Sequence, residues 1–412
     1  MSTAPDMTPA EAALSGAFAV LDTPSPARME AWDAYAQVGL PHRRMEAWRW
    51  SDVRRAAPKA LSFPPLAGRP DGGALFSGLD PIELVFVDGR FAWWPKDDPD
   101  AAAIVRDFGA PPAPDAARRL PFAALSAALA PDPQMIVLHA GATCARPIWL
   151  RFIAETPEAA RLTRLAVVVE PGAFVTLIES HEGAAAGLGS VFLEAVVREG
   201  ALLDRIVLQR GAADDVVVST ADVTLSAGAH LAQTTLAFGA KLARLETHVT
   251  HAAEGAGATL DGAYLLDGAR HADLTSVVAH TAPRCETRQV VKGAVRDRAT
   301  GVFQGTFIVD RPAQKTDARM GHHALLLSDA ATVNAKPELE IYADDVQCAH
   351  GATAGALDPD QLFYLQARGL PDAQAKALLT EAFVAEAFDR VENAAIRETL
   401  LGEVRAWLGG VS

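Results

Sequence analysis

Cysteine is scarce in this sequence: the 412 residues include three, Cys144, Cys285 and Cys348. Their wide spacing provides no C-x-x-C pair, which excludes the usual zinc-finger and redox-dithiol patterns. An odd and sparse set of thiols also argues against a disulfide framework. We therefore expect this protein to work in a reducing compartment, the cytoplasm.

Patterns for membrane insertion, secretion and the common enzyme classes are also missing. No uncharged apolar run of about 18 residues predicts a membrane span, and the first residues lack the basic and apolar parts of a secretion signal. We find no G-x-S-x-G elbow, Walker A loop, H-E-x-x-H pair or strand-associated G-x-G-x-x-G loop. The net charge of −14 argues against nucleic-acid binding. These absences favour a non-catalytic protein that works with partners.

The dominant feature of the sequence is a β-rich stretch over residues 136–357. Short runs of Val, Leu and Ile alternate there with Gly-Ala pairs that begin at Gly172, Gly200, Gly228 and Gly257, in steps of 28, 28 and 29 residues. A fixed period without an intervening helical pattern predicts a stacked β-solenoid. The alternative is a β-sandwich with regular hairpins, although sandwich turns usually recur about every 8–12 residues.

Helical patterns flank the β-rich stretch on both sides. Near the N-terminus, Thr8-Pro9 predicts a capped helix, and further helices are expected over 26–38 and 121–129. After residue 357, Asp358 and Pro371 begin two helices, and a last one covers 394–408. We predict three regions: an N-terminal helical region with a loosely organised connector (1–135), the solenoid (136–357), and a C-terminal helical region (358–412). Part of the last region is placed to cover the terminal coil.

Candidate metal ligands concentrate near the end of the predicted solenoid. Cys348 and His350 are two residues apart in an extended stretch, so their side chains should project to one side. A thiolate and an imidazole make half of a metal site, because a zinc or iron-sulfur centre needs about four donors. The alternative is a small core cysteine beside a hydrogen-bonded histidine. A turn is expected at Asp344-Asp345, where the alternation changes parity.

The other histidines make weaker candidates. His248 and His251 would point to opposite faces of a strand, and so would His322 and His323. We expect these four to be solvated or satisfied in the core. Trp48 and Trp50, in the stretch 39–54, are expected to be packing residues.

Seven short blocks in one order carry a resemblance to a known family. They are His280 with Ala282-Pro283, Lys292-Gly293, VFQG at 302–305, AQKTDA at 313–318, LLLSD at 325–329, KPELEIYADDVQCAHGAT at 336–353, and LFYLQARG at 362–369. Together they resemble the SufB/SufD family of iron-sulfur cluster assembly proteins, and within it the SufD type. The stretch GLPHRRMEAWRWSDVR at 39–54 is similar to the same family near its N-terminus.

The resemblance implies a right-handed parallel β-helix flanked by helical regions, in a complex with a SufB-like paralogue and a SufC-like ABC ATPase. It implies that His350, with Cys348 beside it, faces the SufB-like partner at a shared, transient iron-sulfur cluster and helps to supply iron. It places the ATPase contact on the helices after LFYLQARG. The residues concerned are Phe363, Tyr364, Arg368, Leu378, Leu379 and Phe383. It allows a homodimer when the SufB-like partner is absent, and it involves neither nucleic acid nor membrane.

Two other functions remain open at this point. A β-helix carbohydrate-active enzyme would need acids that converge in a groove, for which Glu338, Glu340, Asp344 and Asp345 are the candidates. Few aromatic residues, 7%, are available to stack on sugars. The third function is a purely structural partner without metal. Cys285 stands where this family would have a small polar residue, and we expect it to be structural.

Overall fold

A computed structural model describes residues 7–68, 75–107 and 114–409, and in them the strands form two sheets. One sheet has ten strands, β1 and β2 with the odd-numbered strands from β5 onward; the other has nine, β3 with the even-numbered strands from β4 onward. The first strands are β1 Ile82–Val87, β2 Arg90–Trp93, β3 Val105–Asp107, β4 Gln134–Leu138, β5 Ile148–Ala154, β6 Ala160–Val169, β7 Phe174–Gly183, β8 Leu188–Val197, β9 Leu202–Gln209 and β10 Val216–Leu225. The others are β11 His230–Ala237, β12 Leu242–His251, β13 Gly257–Leu266, β14 His271–His280, β15 Glu286–Val295, β16 Thr300–Val309, β17 Asp317–Leu326, β18 Thr332–Ile341 and β19 Gln347–Gly355.

From β4 onward the chain alternates between the two sheets, so each strand pairs in parallel with the strand two places further along. This arrangement confirms the predicted β-solenoid and excludes the sandwich. Alternate side chains of both sheets meet in one interior core, which includes Leu177, Leu203, Leu231 and Phe303. Several strands, β10 among them, are buried on nearly every residue. Strands of this kind occur where both faces of a sheet are covered.

One corner of the solenoid has a left-handed backbone in most of its turns. The residues at this corner are Gly172, Gly200, Gly228, Gly255, Arg284 and Lys315, with φ between +58° and +71°. The prediction of turns at the first three Gly-Ala pairs is confirmed, but the fourth turn is at Gly255-Ala256 instead of Gly257. Gly257 begins β13. It lies beside His230 in the neighbouring strand β11.

Four of the five N-terminal helices pack in an apolar cluster on the outward face of the nine-stranded sheet, whereas the fourth in chain order packs on the interior core through Ala101 and Ile104. The five helices are α1 Pro9–Ala19, α2 Pro26–Val38, α3 Val53–Ala56, α4 Pro99–Ile104 and α5 Pro121–Leu129. The predicted capping of α1 by Thr8 is confirmed, and Gly39 ends α2. Helix α5 is buried throughout and lies against β6 and β8. Trp48 is buried in the same cluster, which confirms its packing role.

Two of the three C-terminal helices pack on the outward face of the ten-stranded sheet, whereas the first has no buried residue and contacts the second. The three helices are α6 Pro359–Ala367, α7 Asp372–Ala385 and α8 Ala394–Trp407. Val384, Phe388 and Leu400 contact outward residues of β9 and β13 in one apolar cluster. The prediction that part of this tail covers the terminal coil is therefore wrong: the apolar faces of α7 and α8 match the side of the solenoid.

The connector within residues 61–135 contributes strands to the solenoid. Strand β1 pairs in parallel with β5, and β2 returns antiparallel to β1. In the other sheet, β3 pairs antiparallel with β4. These short antiparallel strands end the sheets at the N-terminal end of the solenoid. Among the described residues, no helix has the length and apolar character that crossing a membrane requires.

Candidate functional site

Cys348 and His350 lie on β19, the last strand of the ten-stranded sheet. Cys348 is opposite Ala318 of β17, and His350 is opposite Met320. Ala318 and Met320 belong to the interior core, so Cys348 and His350 are on the interior face of the last coil. Both are on one side, as the spacing predicts, with their Cα atoms about 6.6 Å apart from the rise of a strand.

The two candidate ligands differ in their exposure. His350 is exposed because no further coil is stacked on it, whereas Cys348 is half-buried. Cys348 packs against an apolar cluster of Val309, Ala313 and Ala343. Burial raises the pKa of the Cys348 thiol. This thiol is therefore protonated at neutral pH and would need to lose its proton before it could bind a metal.

The surroundings of His350 form an open end of the solenoid. Strand β18 has only β16 beside it, and β19 has only β17, among the residues that the structure describes. The interior face of β18 presents partly exposed apolar side chains, including Val333, Leu339 and Ile341, the last 41% exposed. Unpaired strand edges with apolar residues are templates for pairing with another chain.

The acidic residues near this end do not converge. Asp344 and Asp345 lie in the corner between β18 and β19, which confirms the predicted turn. Asp345 forms an ion pair with Lys315, and Glu338 lies 3.0 Å from the Lys336 ammonium. Within the described parts of the chain, no three or more His, Cys, Asp or Glu side chains are grouped to hold a metal. The arrangement therefore offers two donors and no acid pair in a groove.

The six predicted ATPase-contact residues are divided between surface and packing. Phe363, Tyr364 and Leu378 are 72%, 56% and 48% exposed. Arg368 is exposed as well and lies 5.0 Å from the centre of the Tyr364 ring. Leu379 is half-buried. Phe383 turns toward the solenoid, where the Lys292 ammonium lies 4.5 Å from its ring centre.

Buried histidines inside the solenoid are a feature that the sequence pattern did not reveal. His251 and His280 stack with ring centres 4.6 Å apart, and both contact the Thr287 hydroxyl, at 3.1 and 2.9 Å. His322 stacks on Phe303 and contacts the Tyr264 hydroxyl at 2.9 Å. His322 and His323 point to opposite faces, as expected. The sequence did contain one signal for this arrangement: His251 and His280 are the last residues of β12 and β14, and they lie opposite each other in the pairing of those strands.

These histidines should make the fold sensitive to acid. Burial lowers the pKa of His181 and His251 to about 3 and that of His280 and His322 to about 4, from 6.5. Below pH 6.5 or so the unfolded chain binds more protons than the folded chain, so stability is lost as the pH falls toward these values. We expect the urea midpoint to decrease steadily from about pH 7 to about pH 5.

A variant isolates this effect. His181 stacks on Phe152 at 5.1 Å between ring centres, and its Nε2 atom is buried without a hydrogen-bond partner. His181→Phe should therefore fold and show a weaker dependence of the urea midpoint on pH. A midpoint of the parent chain that does not change with pH would contradict the assignment.

Comparison with known proteins finds one matching family model and several similar proteins. The family model described as SUF system FeS cluster assembly, SufBD core domain, matches residues 152–383. The chain is 28% identical to the iron-sulfur cluster assembly protein SufD of Escherichia coli over 94% of this chain and 93% of that protein. It is 29% identical to the SufBD family protein slr0076 of Synechocystis, over 90% and 88% of the two chains. Protein ABCI7 of Arabidopsis thaliana, a chloroplastic protein, is 28% identical over 89% and 82%.

Proposed function

Because this chain belongs to the SufBD family of iron-sulfur cluster assembly proteins and is SufD-like, we propose that it is a non-catalytic subunit of a cytoplasmic SufBCD-type complex. Its partners are a SufB-like paralogue and a SufC-like ABC ATPase. The observation that supports this proposal is the open end of the solenoid, where His350 is exposed on the interior face of the edge strand β19.

The open end can accept a second solenoid in two ways. The free edges of β18 and β19 offer backbone hydrogen-bonding groups, and the apolar interior residues offer surface to bury. A SufB-like partner docked there would face His350 and Cys348, and its own side chains would complete the ligand set for a nascent cluster. The cluster is cargo in this proposal, held transiently and passed on, and iron enters through the same ligands. A homodimer can use the same end when the SufB-like partner is absent.

The exposed side chains of α6 and α7 suit the ATPase partner. Helix α6 has no buried residue, although Phe363 and Tyr364 are large apolar or aromatic groups. Exposed aromatic residues of this kind are typical of interfaces. ATP-driven dimerisation of the SufC-like subunits would move these helices and change the interface at the open end.

Anaerobic co-purification with the SufB-like and SufC-like proteins, with iron and sulfide assays, tests the proposal. We expect this chain to enter the complex and the complex to carry iron and sulfide. A carbohydrate-active enzyme would not enter the complex, and a purely structural subunit would enter it without affecting the metal content. Either of these results would contradict the proposed function.

The ATPase contact should be sensitive to charge on the exposed helices. We expect the double variant Phe363→Asp, Leu378→Asp to weaken retention of the ATPase about 30-fold or more, because the loss of even one such anchor often costs about 2 kcal/mol. Binding of the SufB-like partner should not change. Val38→Asp is the matched control, since Val38 is an exposed apolar residue, 44% exposed, on α2. Equal ATPase retention by the double variant and the control would contradict the assignment.

A further inference from the structure

One row of polar side chains crosses the outward face of the ten-stranded sheet near its open end. Lys292 of β15 is in register with His323 of β17, and His323 is in register with Thr353 of β19. The three side chains are therefore neighbours on successive strands. Thr353 lies three residues beyond His350 on the same strand, so the row ends on the strand that carries His350, about 10 Å along it and on the opposite face.

Neighbouring side chains in this row are linked by a hydrogen bond, an ion pair or an electrostatic interaction. The His323 Nδ1 atom lies 2.8 Å from the Thr353 hydroxyl. Lys292 is buried, and its ammonium donates to Glu386 at 2.6 Å, just after the end of α7. The same ammonium lies over the Phe383 ring. Burial lowers the pKa of His323, and so does the charge of Lys292, whereas Glu386 raises it. His323 is thus a neutral imidazole within the field of the Lys292–Glu386 pair.

Strand β19 is paired along one edge only. It has one neighbouring strand, β17, and nearly all of its residues are exposed. Within the described residues, the Thr353 hydroxyl makes the one side-chain hydrogen bond between β19 and that neighbour. A strand held in this way opens locally at low free-energy cost. Its position is therefore sensitive to the orientation of His323.

We propose that Lys292 and His323 are positioning residues that connect helix α7 with strand β19, and through it with His350. The proposal rests on the proposed function, in which α7 carries part of the ATPase contact and β19 carries the cluster ligand. Movement of α7 displaces Glu386, Lys292 follows its partner, and His323 changes its hold on Thr353.

Hydrogen exchange of the isolated chain, measured by mass spectrometry on peptides from β19, tests the connection. We expect His323→Ala, Lys292→Met and Glu386→Ala each to accelerate exchange in 347–355 about fivefold, the factor for one lost hydrogen bond. Glu386 is the decisive variant, because over the ranges that the structure describes its side chain pairs with Lys292 and forms no hydrogen bond or ion pair with β19. Slow exchange in peptides from β10 checks that each variant is folded.

Arg390→Ala is the matched control. Arg390 also links the C-terminal helical region to the ten-stranded sheet, through an ion pair at 2.9 Å with Asp261 of β13. It does not belong to the row. Its removal should leave β19 exchange within about twofold of the parent chain. Equal acceleration by Arg390→Ala would show that the tail loosens in general. No acceleration by Glu386→Ala would show that the connection does not extend from His323 to Glu386. Either result overturns the proposal. The measurement does not involve metal, so it can fail while the cluster function stands.

Discussion

Replacing His350 with alanine should reduce the iron and sulfide content of the co-purified complex about tenfold or more. Loss of even an outer partner of a metal ligand costs ten-fold or more in affinity, and loss of the ligand itself should cost at least as much. Because His350 is exposed and no strand in the described part of the chain lies beyond it, the folded chain should keep its stability, within about 0.5 kcal/mol. The measurement is metal and sulfide content after anaerobic purification, with urea unfolding of the isolated chain beside it.

The same strand offers a control for this variant. Gln347 is exposed and lies on the opposite, outward face of β19, so Gln347→Ala should leave the cluster content unchanged. Normal cluster formation in the His350→Ala complex would remove this residue from the mechanism. Cys348→Ala separates the two roles of the thiol. Loss of stability with unchanged iron indicates packing against Val309 and Ala343, and loss of iron with unchanged stability indicates a ligand.

Arg244→Ala should cause the largest loss of stability, about 3–5 kcal/mol, the range for breaking a buried ion pair from one side. The guanidinium is fully buried and donates to Glu246 at 2.8 Å and to Asp273 at 2.7 Å. It also donates to the Ala47 carbonyl at 2.8 Å and lies 4.0 Å from the Trp48 ring centre. Alanine would leave two carboxylates buried and would release the N-terminal segment from the nine-stranded sheet.

Urea unfolding measures this loss, and limited proteolysis within 43–56 measures the release of the segment. Arg44→Ala is the control, because Arg44 is exposed in the same segment and should change stability by less than about 0.5 kcal/mol. A loss below about 1 kcal/mol for Arg244→Ala would show that the two carboxylates find other partners, among them Ser51 and Gln304, which already donate to Asp273.

The solenoid could be predicted from the sequence because the same backbone conformation recurs at its corners. A left-handed residue occurs at one corner in most turns, and Gly172, Gly200 and Gly228 supply it in a recognisable pattern. The pattern fades where Arg284 and Lys315 take the same conformation with side chains. A glycine search cannot find those corners, and at Gly255 the neighbouring Gly257 misplaced the turn by two residues.

The role of β1 was less accessible to sequence reasoning. Its six residues are apolar except for Glu83, and all are buried. A short apolar run of this kind predicts a strand but not the sheet to which it belongs. Its pairing with β5 is set by contacts between segments about 66 residues apart, as in Ile82 opposite Ile148. Composition, rich there in proline and glycine, suggested either a loosely organised connector or a small β layer.

The candidate site was predictable in one respect and not in another. Alternation along a strand places Cys348 and His350 on one side. It does not reveal that this side faces the interior, or that His350 is nevertheless exposed because stacking stops at β18 and β19. The same limit applies to the tail, where the helical spacing of Leu379 and Phe383 marks an apolar face. Only the tertiary structure shows that Phe383 meets the solenoid.

The two ends of the solenoid differ, and the difference limits how large an assembly can become. Short antiparallel strands, four residues in β2 and three in β3, finish the sheets at one end, whereas ten-residue β18 and nine-residue β19 finish them at the other. Short edges resist addition of further strands and long apolar edges invite it. Within the proposed function, we therefore expect strand pairing between solenoids to stop at two subunits, because only one end of each subunit favours the addition of strands.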